Sequence, residues 1–389
     1  MGLLAIAPPA GAADLPLGPK SLDERRSVSR VAPGVRWTRI VREGGPWRLN
    51  VLTVAPSARV IAAAAGDAAG ERVRPSVLSR RLAAVAAVNG GYFDGDGFPV
   101  GALAAEGRLL SEPVGGRSAL LLGAAPRSIG PLRFAGAVRV DDEELVLDGI
   151  NRIPGEIPAC GGRGGDRPTE RASAVTTCTD ASELVLMTPE WGAPTPRGRG
   201  FLDAVVRDGL VTALRAGGGS AVPPDAAVLT ATGSARAPLR GAGAGAAVEL
   251  DQSILMRSDL VPQGDIVSGG PRLIAGGRVR VRSSAEGFAP LSAPWFHGSF
   301  VASRHPRTMA GVRRDGSLLL VTVDGRRPGW SAGVTLREGA RVMRSLGARD
   351  ALNLDGGGST AMAVRGRVAN VPSDPGGERK VSDVLLVLP

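Results

Sequence analysis

Asp355 leads into Gly356, Gly357, Gly358, Ser359 and Thr360, so one carboxylate, three glycines and two hydroxyls sit between the strand-like runs 351–354 and 360–364. Glycine accepts positive φ and carries no Cβ, so consecutive Gly amides can turn toward one anion and let a ligand approach the main chain. Such a loop suits phosphate; read alone, it is equally a glycine-rich hairpin with a surface Asp. Other strand ends repeat the theme. Asn89-Gly90-Gly91 joins an amide to two glycines, Ser268 precedes Gly269 and Gly270, and Asp324-Gly325-Arg326 sets a carboxylate beside a guanidinium. Arg307-Thr308 opens a further run. If these strands share a sheet, their ends can converge on one cleft holding two carboxylates, two guanidinium groups, an amide, hydroxyls and several N–H donors. Arginine grips phosphate oxygens in pairs and keeps its charge when water is removed.

Other chemistries fail on spacing. No glycine loop is followed by Lys-Ser/Thr, and none opens a helix in G-x-G-x-x-G spacing, which excludes a Walker A site and a dinucleotide fingerprint. His297 and His305 are the only imidazoles, which argues against a Ser-His-Asp triad; His305, next to a proline, reads as a surface residue. Cys160 and Cys178 flank a segment rich in Gly, Arg and Thr, with no CxxC. That fits a loop-closing disulfide outside the cytosol, with two buried free thiols as the alternative. No metal site or cofactor is called for. Paired Asp and carbonyl oxygens would suit Ca²⁺, yet no loop has EF-hand spacing.

Regular elements must bring these ends together. The run 47–54 alternates as a half-buried strand, a short helix fits 75–81, and a small-residue strand over 82–88 delivers Asn89. The run 318–323 is the clearest buried strand, and Asp324 and Arg326 follow it. Leu336, Ala340, Met343 and Leu346 have helical spacing, with Thr335 as N-cap, Glu338 as its capping-box partner and Gly347 as the stop. From about 125 to 260, short strands alternate with Gly/Pro turns, which reads as a β-rich insertion. Residues 1–30 read as a leader and linker, with Leu3 to Ala7 and an A-x-A-like site resembling the tail of a secretory signal. Structure is expected from Val35, and one catalytic domain over 31–389.

With 389 residues, 43% of them hydrophobic, the chain can bury a substantial core. A net charge of +10 suits an anionic partner, but all except two of the 47 basic residues are Arg and they are scattered. At 3% aromatic, with Tyr92 the single tyrosine, there is little stacking surface for nucleic acid. No run is long enough to cross a bilayer as a helix. The expectation is a secreted protein with no membrane span and no nucleic-acid partner.

In order from Asn89 to the C-terminus, N-G-G-Y-F at Asn89, S-G-G-P at Ser268, R-T-M-A-G at Arg307 and V-D-G-R at Val323 resemble the motifs of the phosphodiester glycosidases. So do L-D-G-G-G-S-T at Leu354 and N-V-P-S-D-P-G-G-E-R at Asn370. The β-rich middle carries none of them. The resemblance implies an α+β fold of mixed β-sheets with a few packed helices, and hydrolysis of a sugar-1-phosphodiester in a cell-envelope or extracellular glycan. The chemistry of that reaction, which needs cations on the phosphate and a carboxylate near the anomeric carbon, assigns the roles. Arg307 and Arg326 would hold the phosphate, the Gly356–Ser359 backbone its remaining oxygens, and Asp355 or Asp324 would be base or nucleophile. Asn89 would bind sugar hydroxyls, with Gly90, Gly91, Gly269, Gly270, Thr308, Thr360, Asn370, Ser373, Glu378 and Arg379 also lining the site. The rival reading is a catalytically silent protein that binds an anionic polysaccharide in the same cleft.

Overall fold

The computed structural model describes residues 15–18, 23–68, 70–123, 126–158, 160, 165–169, 177–288 and 294–389. The signal-like residues 3–14 lie outside them. Strand residues dominate, 44% against 13% in helices, so the chain is β-rich with few helices. The ladders are antiparallel; the one parallel pairing among the described residues joins Gly149–Ile150 to Leu184–Met187.

An eight-stranded sheet runs in the order Glu24–Ala32, Val35–Arg42, Trp47–Val54, Leu318–Val323, Arg307–Arg313, Ala348–Asn353, Arg272–Ala275 and Arg278–Val279. Its first strand begins at Glu24, eleven residues before the expected start at Val35, because Glu24 to Ala32 pair with the next strand. Leu318–Val323 is buried along its whole length, as a central strand covered on both faces must be. On one face Leu49, Leu319 and Val321 pack with Leu336, Ala340 and Met343 of the Leu336–Ser345 helix. That helix has the expected capping box: Glu338 N donates to Thr335 Oγ1 at 3.1 Å and Thr335 N to Glu338 Oε2 at 2.9 Å. Gly347, at φ +89°, follows its C-terminus.

On the other face Leu52, Leu320 and Leu352 meet Val88, Met362 and Leu385 from a five-stranded sheet. That sheet is ordered Arg367–Val368, Met362–Val364, Ala86–Asn89, Asp383–Val387 and Val60–Ala64. Its Ala86–Asn89 strand is shorter than the 82–88 run expected, since Leu82 caps the Pro75–Arg81 helix and is exposed. A seven-stranded sheet mixes Ser128–Phe134, Ile254–Met256 and Asp259–Leu260 with Leu103–Ala105, Arg108–Ser111, Ser118–Leu121 and Ile266–Ser268. The β-rich middle is thus woven at both ends into the sheet beside it. Its interior is built on Leu132, Phe134, Leu184, Leu202 and Leu229. Cys160 and Cys178 form a disulfide with a Cα–Cα distance of 5.0 Å.

Candidate active site

Strand register explains why distant motifs meet. Arg307 pairs with Val323, Met309 with Asn353, and Asn89 with Val384, so chain segments far apart in sequence end at one edge of the stacked sheets. A cleft of about 700 Å³ opens there, lined by Tyr92, Arg307, Arg326, Asp355, Gly356–Gly358 and Arg379 among others.

Asp355 is held from behind. Its amide donates to Gly90 O (3.1 Å), its carbonyl accepts from Asn89 Nδ2 (2.8 Å), and its Oδ1 accepts from Gly356 N (2.8 Å). Asn89 is fully buried; its Oδ1 takes Thr308 Oγ1 (2.6 Å) and Ala361 N (3.1 Å). The amide expected to touch sugar hydroxyls therefore ties three strand ends together behind the carboxylate. Burial lifts the Asp355 carboxyl from its ordinary value to about 6, against the opposing pull of Ser359, the Gly356 amide, Arg379 and Arg307. A carboxylate that titrates near neutrality can both exist ionised and take a proton.

The three guanidinium groups differ in their supports. Arg307 is 1% exposed, yet among the described residues it forms no ion pair with a carboxylate. Its Nε donates to Val334 O (3.3 Å), its Nη2 to Phe300 O, and it lies 4.8 Å over the Phe300 ring. Burial, with a smaller contribution from Arg326, brings its pKa down to about 10 against the opposing pull of Tyr92 and Asp355. It still carries full charge at neutral pH. A buried cation without an anion beside a cleft is suited to an anionic ligand. Arg326 is exposed, at φ +56°, and donates to His305 Nδ1 (3.0 and 3.2 Å). Arg379 is clamped by Asp374 (2.8 and 3.1 Å) and reaches Ser359 Oγ at 3.4 Å.

The glycines make room for these cations. Gly357 sits at φ +60°, and a Cβ there would lie 3.1 Å from Arg326 Nη1; a Cβ on Gly358 would lie 2.1 Å from Arg379 Nη2. The expected cradle of amides is largely engaged elsewhere. Gly356 N donates to Asp355, Gly357 N to Pro306 O (2.9 Å) and Ser359 N to Gly356 O (3.1 Å). Grip on an anion falls to side chains.

Other expected residues sit apart from the cleft wall. Asp324 is 1% exposed; its carboxylate accepts from Trp330 Nε1 (2.9 Å) and Val371 N (3.2 Å), and burial raises its pKa. Asn370 bridges Thr360 O and Met362 N, while Glu378 accepts from Ser76 N (2.8 Å) and Ser76 Oγ (2.5 Å) at the Pro75–Arg81 helix. The hydroxyl oxygens of Thr360 and Ser373 are buried and unpaired. Gly269 donates to Ser118 O (3.0 Å), and Gly270 O accepts from Tyr92 OH (2.7 Å). Gly90 and Gly91 pack on Asp383, whose Oδ1 takes Gly91 N at 2.8 Å. No three His, Cys, Asp or Glu side chains cluster as a cation site among the described residues, so none is assigned to Ca²⁺.

Three features were missed in the sequence. His305 is half-buried in the cleft wall, not on the open surface; Arg326 donates to its Nδ1 and its Nε2 faces Ser299 O, which selects the neutral Nε2–H form. Burial lowers its pKa, and Arg307 and Arg326 lower it further. Asp383, raised to about 6 by burial and by the charge of Asp355, belongs to the tail that follows the expected motifs. Eight of the chain's thirteen aromatic residues line this cleft, so a small aromatic complement is concentrated in one place. The R-H-P-R order could have flagged His305; nothing local marks the aromatics.

Residues 202–388 match the model of the family described as phosphodiester glycosidase, just under half of the chain. The span includes Arg307, Arg326, Asp355 and Arg379 and leaves out Asn89 to Tyr92. Over 75 residues the chain is 39% identical to mouse (Mus musculus) N-acetylglucosamine-1-phosphodiester alpha-N-acetylglucosaminidase, covering 19% of this chain and 14% of that protein. Over 84 residues it is 44% identical to an uncharacterized SPbeta prophage-derived protein of Bacillus subtilis (strain 168), covering 22% of this chain and 13% of that one. Both are local matches to much longer proteins. A crystal structure of a candidate exported protein from Burkholderia pseudomallei superposes with a TM-score of 0.85 at 26% identity, covering 97% of this chain and 98% of the other.

Proposed function

We propose, from the phosphodiester glycosidase domain that residues 202–388 carry, that the protein hydrolyses sugar-1-phosphodiesters, with N-acetylglucosamine-1-phosphate linkages of envelope or extracellular glycans as the substrate class. The observation that carries the reading is the buried Arg307, which has no carboxylate partner among the described residues, in the same cleft as a carboxyl poised near 6. Arg307, Arg326 and Arg379 hold the phosphate. Asp355, ionised, accepts a proton from water as its oxygen bonds to the anomeric carbon; the C1–O bond breaks and its electron pair leaves with the phosphomonoester. That leaving group is a weak base, so the step asks little of a general acid. Asn89, Gly90 and Asp383 position Asp355 rather than touch substrate, and Asp324 orders the Trp330 and Val371 region behind the strands.

Secretion belongs to the same reading: the disulfide and the likeness to a candidate exported protein support it. Among the described residues no helix is long and apolar enough to cross a membrane.

Asp355→Asn tests the assignment. It is expected to abolish sugar release from an N-acetylglucosamine-1-phosphodiester, about 10²–10⁴-fold, while substrate binding persists. Undiminished turnover would remove Asp355 from the chemistry. Wild-type binding without release across a phosphodiester panel would favour the polysaccharide-binding alternative.

A further inference from the structure

One wall of the cleft continues outward as a row of rings. The Arg307 guanidinium lies 4.8 Å over Phe300, Phe300 stacks on Phe296 at 5.0 Å and 7°, and Phe296 meets Trp295 edge-on at 6.0 Å and 84°. Exposure rises along it. Arg307 is 1% exposed, Phe300 and Phe296 are half-buried, and Trp295 is 60% exposed. Among the described residues Trp295 joins none of the hydrophobic cores, so its indole is held at the lip of the cleft at a cost in hydration that folding does not recover. Flat rings with a polar N–H suit a ligand that is apolar on one face and hydroxylated at its edge. A pyranose has that form: its axial C–H bonds stack on a ring while its hydroxyls reach water or the polar wall.

We propose that Trp295, Phe296 and Phe300 form a sugar-binding subsite beyond the anion-binding arginines, so that the substrate is an oligosaccharide or polymer carrying the phosphodiester. This rests on the reading of the cleft as a glycosyl phosphodiester site. The cleft's volume, about 700 Å³, lies in the upper half of the range for small-molecule pockets, which leaves room for more than one ring.

The test compares Trp295→Ala and Trp295→Phe with wild type on two substrates of one linkage. One is methyl N-acetylglucosamine 1-phosphate; the other carries at least three sugars on the phosphate. Trp295→Ala is expected to leave kcat/KM on the methyl ester unchanged and to lower it about tenfold on the oligosaccharide through KM, with Trp295→Phe recovering most of the loss. Equal values on both substrates, or equal loss on both, would overturn the subsite. If wild type hydrolyses neither, the hydrolase reading fails, and calorimetric binding of the same oligosaccharide phosphodiester decides the subsite. Weaker binding by Trp295→Ala then supports it, and unchanged binding overturns it. A gain in binding to acyl-chain vesicles with no saccharide binding would assign the row to lipid instead.

Discussion

Asp355 works against its own burial. Its folded pKa of about 6 stands above the ordinary 3.8, so the neutral acid is the form the fold favours. The stability this contributes is full below pH about 4 and is lost as pH rises through about 6. Asp355→Asn should therefore raise Tm at pH 8, where the native carboxylate, half-buried in the cleft wall, is charged, and change it little at pH 4; thermal melts at the two pH values check this. Under the proposed hydrolysis, activity is predicted to have the opposite dependence, because the base must be ionised. The acid limb of kcat/KM is expected near pH 6, two units above that of an exposed carboxylate. A limb near 4 would mean the acting carboxylate lies elsewhere. At this scale the sequence singled out Asp355, Arg307 and Gly356 to Gly358, which share one cleft wall, because several strand ends repeat the pairing of glycines with a charged or amide side chain. Asp383 and His305 stayed hidden because their surroundings are set by residues distant in sequence, Gly90 and Gly91 for the one and Arg326 for the other, and no local pattern encodes such a neighbour.

The elements that aim these groups are short, and their ends matter more than their lengths. The Leu336–Ser345 helix was legible down to its capping box and its glycine stop because those signals are local. Its N-terminus also touches the site: Val334, one residue before the cap, accepts Arg307 Nε and pairs with His305. Thr335→Ala removes the acceptor for Glu338 N and should cost about 1 kcal/mol of stability, read by denaturant unfolding, with kcat unchanged. A fall in kcat larger than the loss of folded protein would show that the cap positions Arg307 as well. The first strand was less legible. Glu24–Ala32 alternates weakly and lies beside a segment rich in proline and small residues, so only pairing with Val35–Arg42 makes it a strand. Asp324 likewise sits at the expected strand end, but Trp330 and Val371 claim its carboxylate, and neither lies in the motif that named it.

Across the whole molecule, a sheet layer fixes Asp355 and the arginines while the β-rich middle lends Asn151, Arg152, Glu156 and Trp191 to the same cleft. The cleft is thus lined both by the part that matches the family model and by parts that do not. The disulfide joins Cys160 to Cys178 within this middle region. Replacing both Cys160 and Cys178 by Ser should lower stability by about 2–4 kcal/mol, and reductant should reproduce the loss in the wild type. Equal melts with and without reductant would make the bond incidental. The gathering of eight aromatics was beyond sequence reasoning, because composition averages over a chain that the fold then sorts. The most direct measurement of the central claim is hydrolysis of an N-acetylglucosamine-1-phosphodiester in ¹⁸O-labelled water, with mass spectrometry of both products. The label is predicted on the sugar's anomeric hydroxyl and absent from the phosphomonoester; label on the phosphate, or no cleavage of any such substrate, would contradict it.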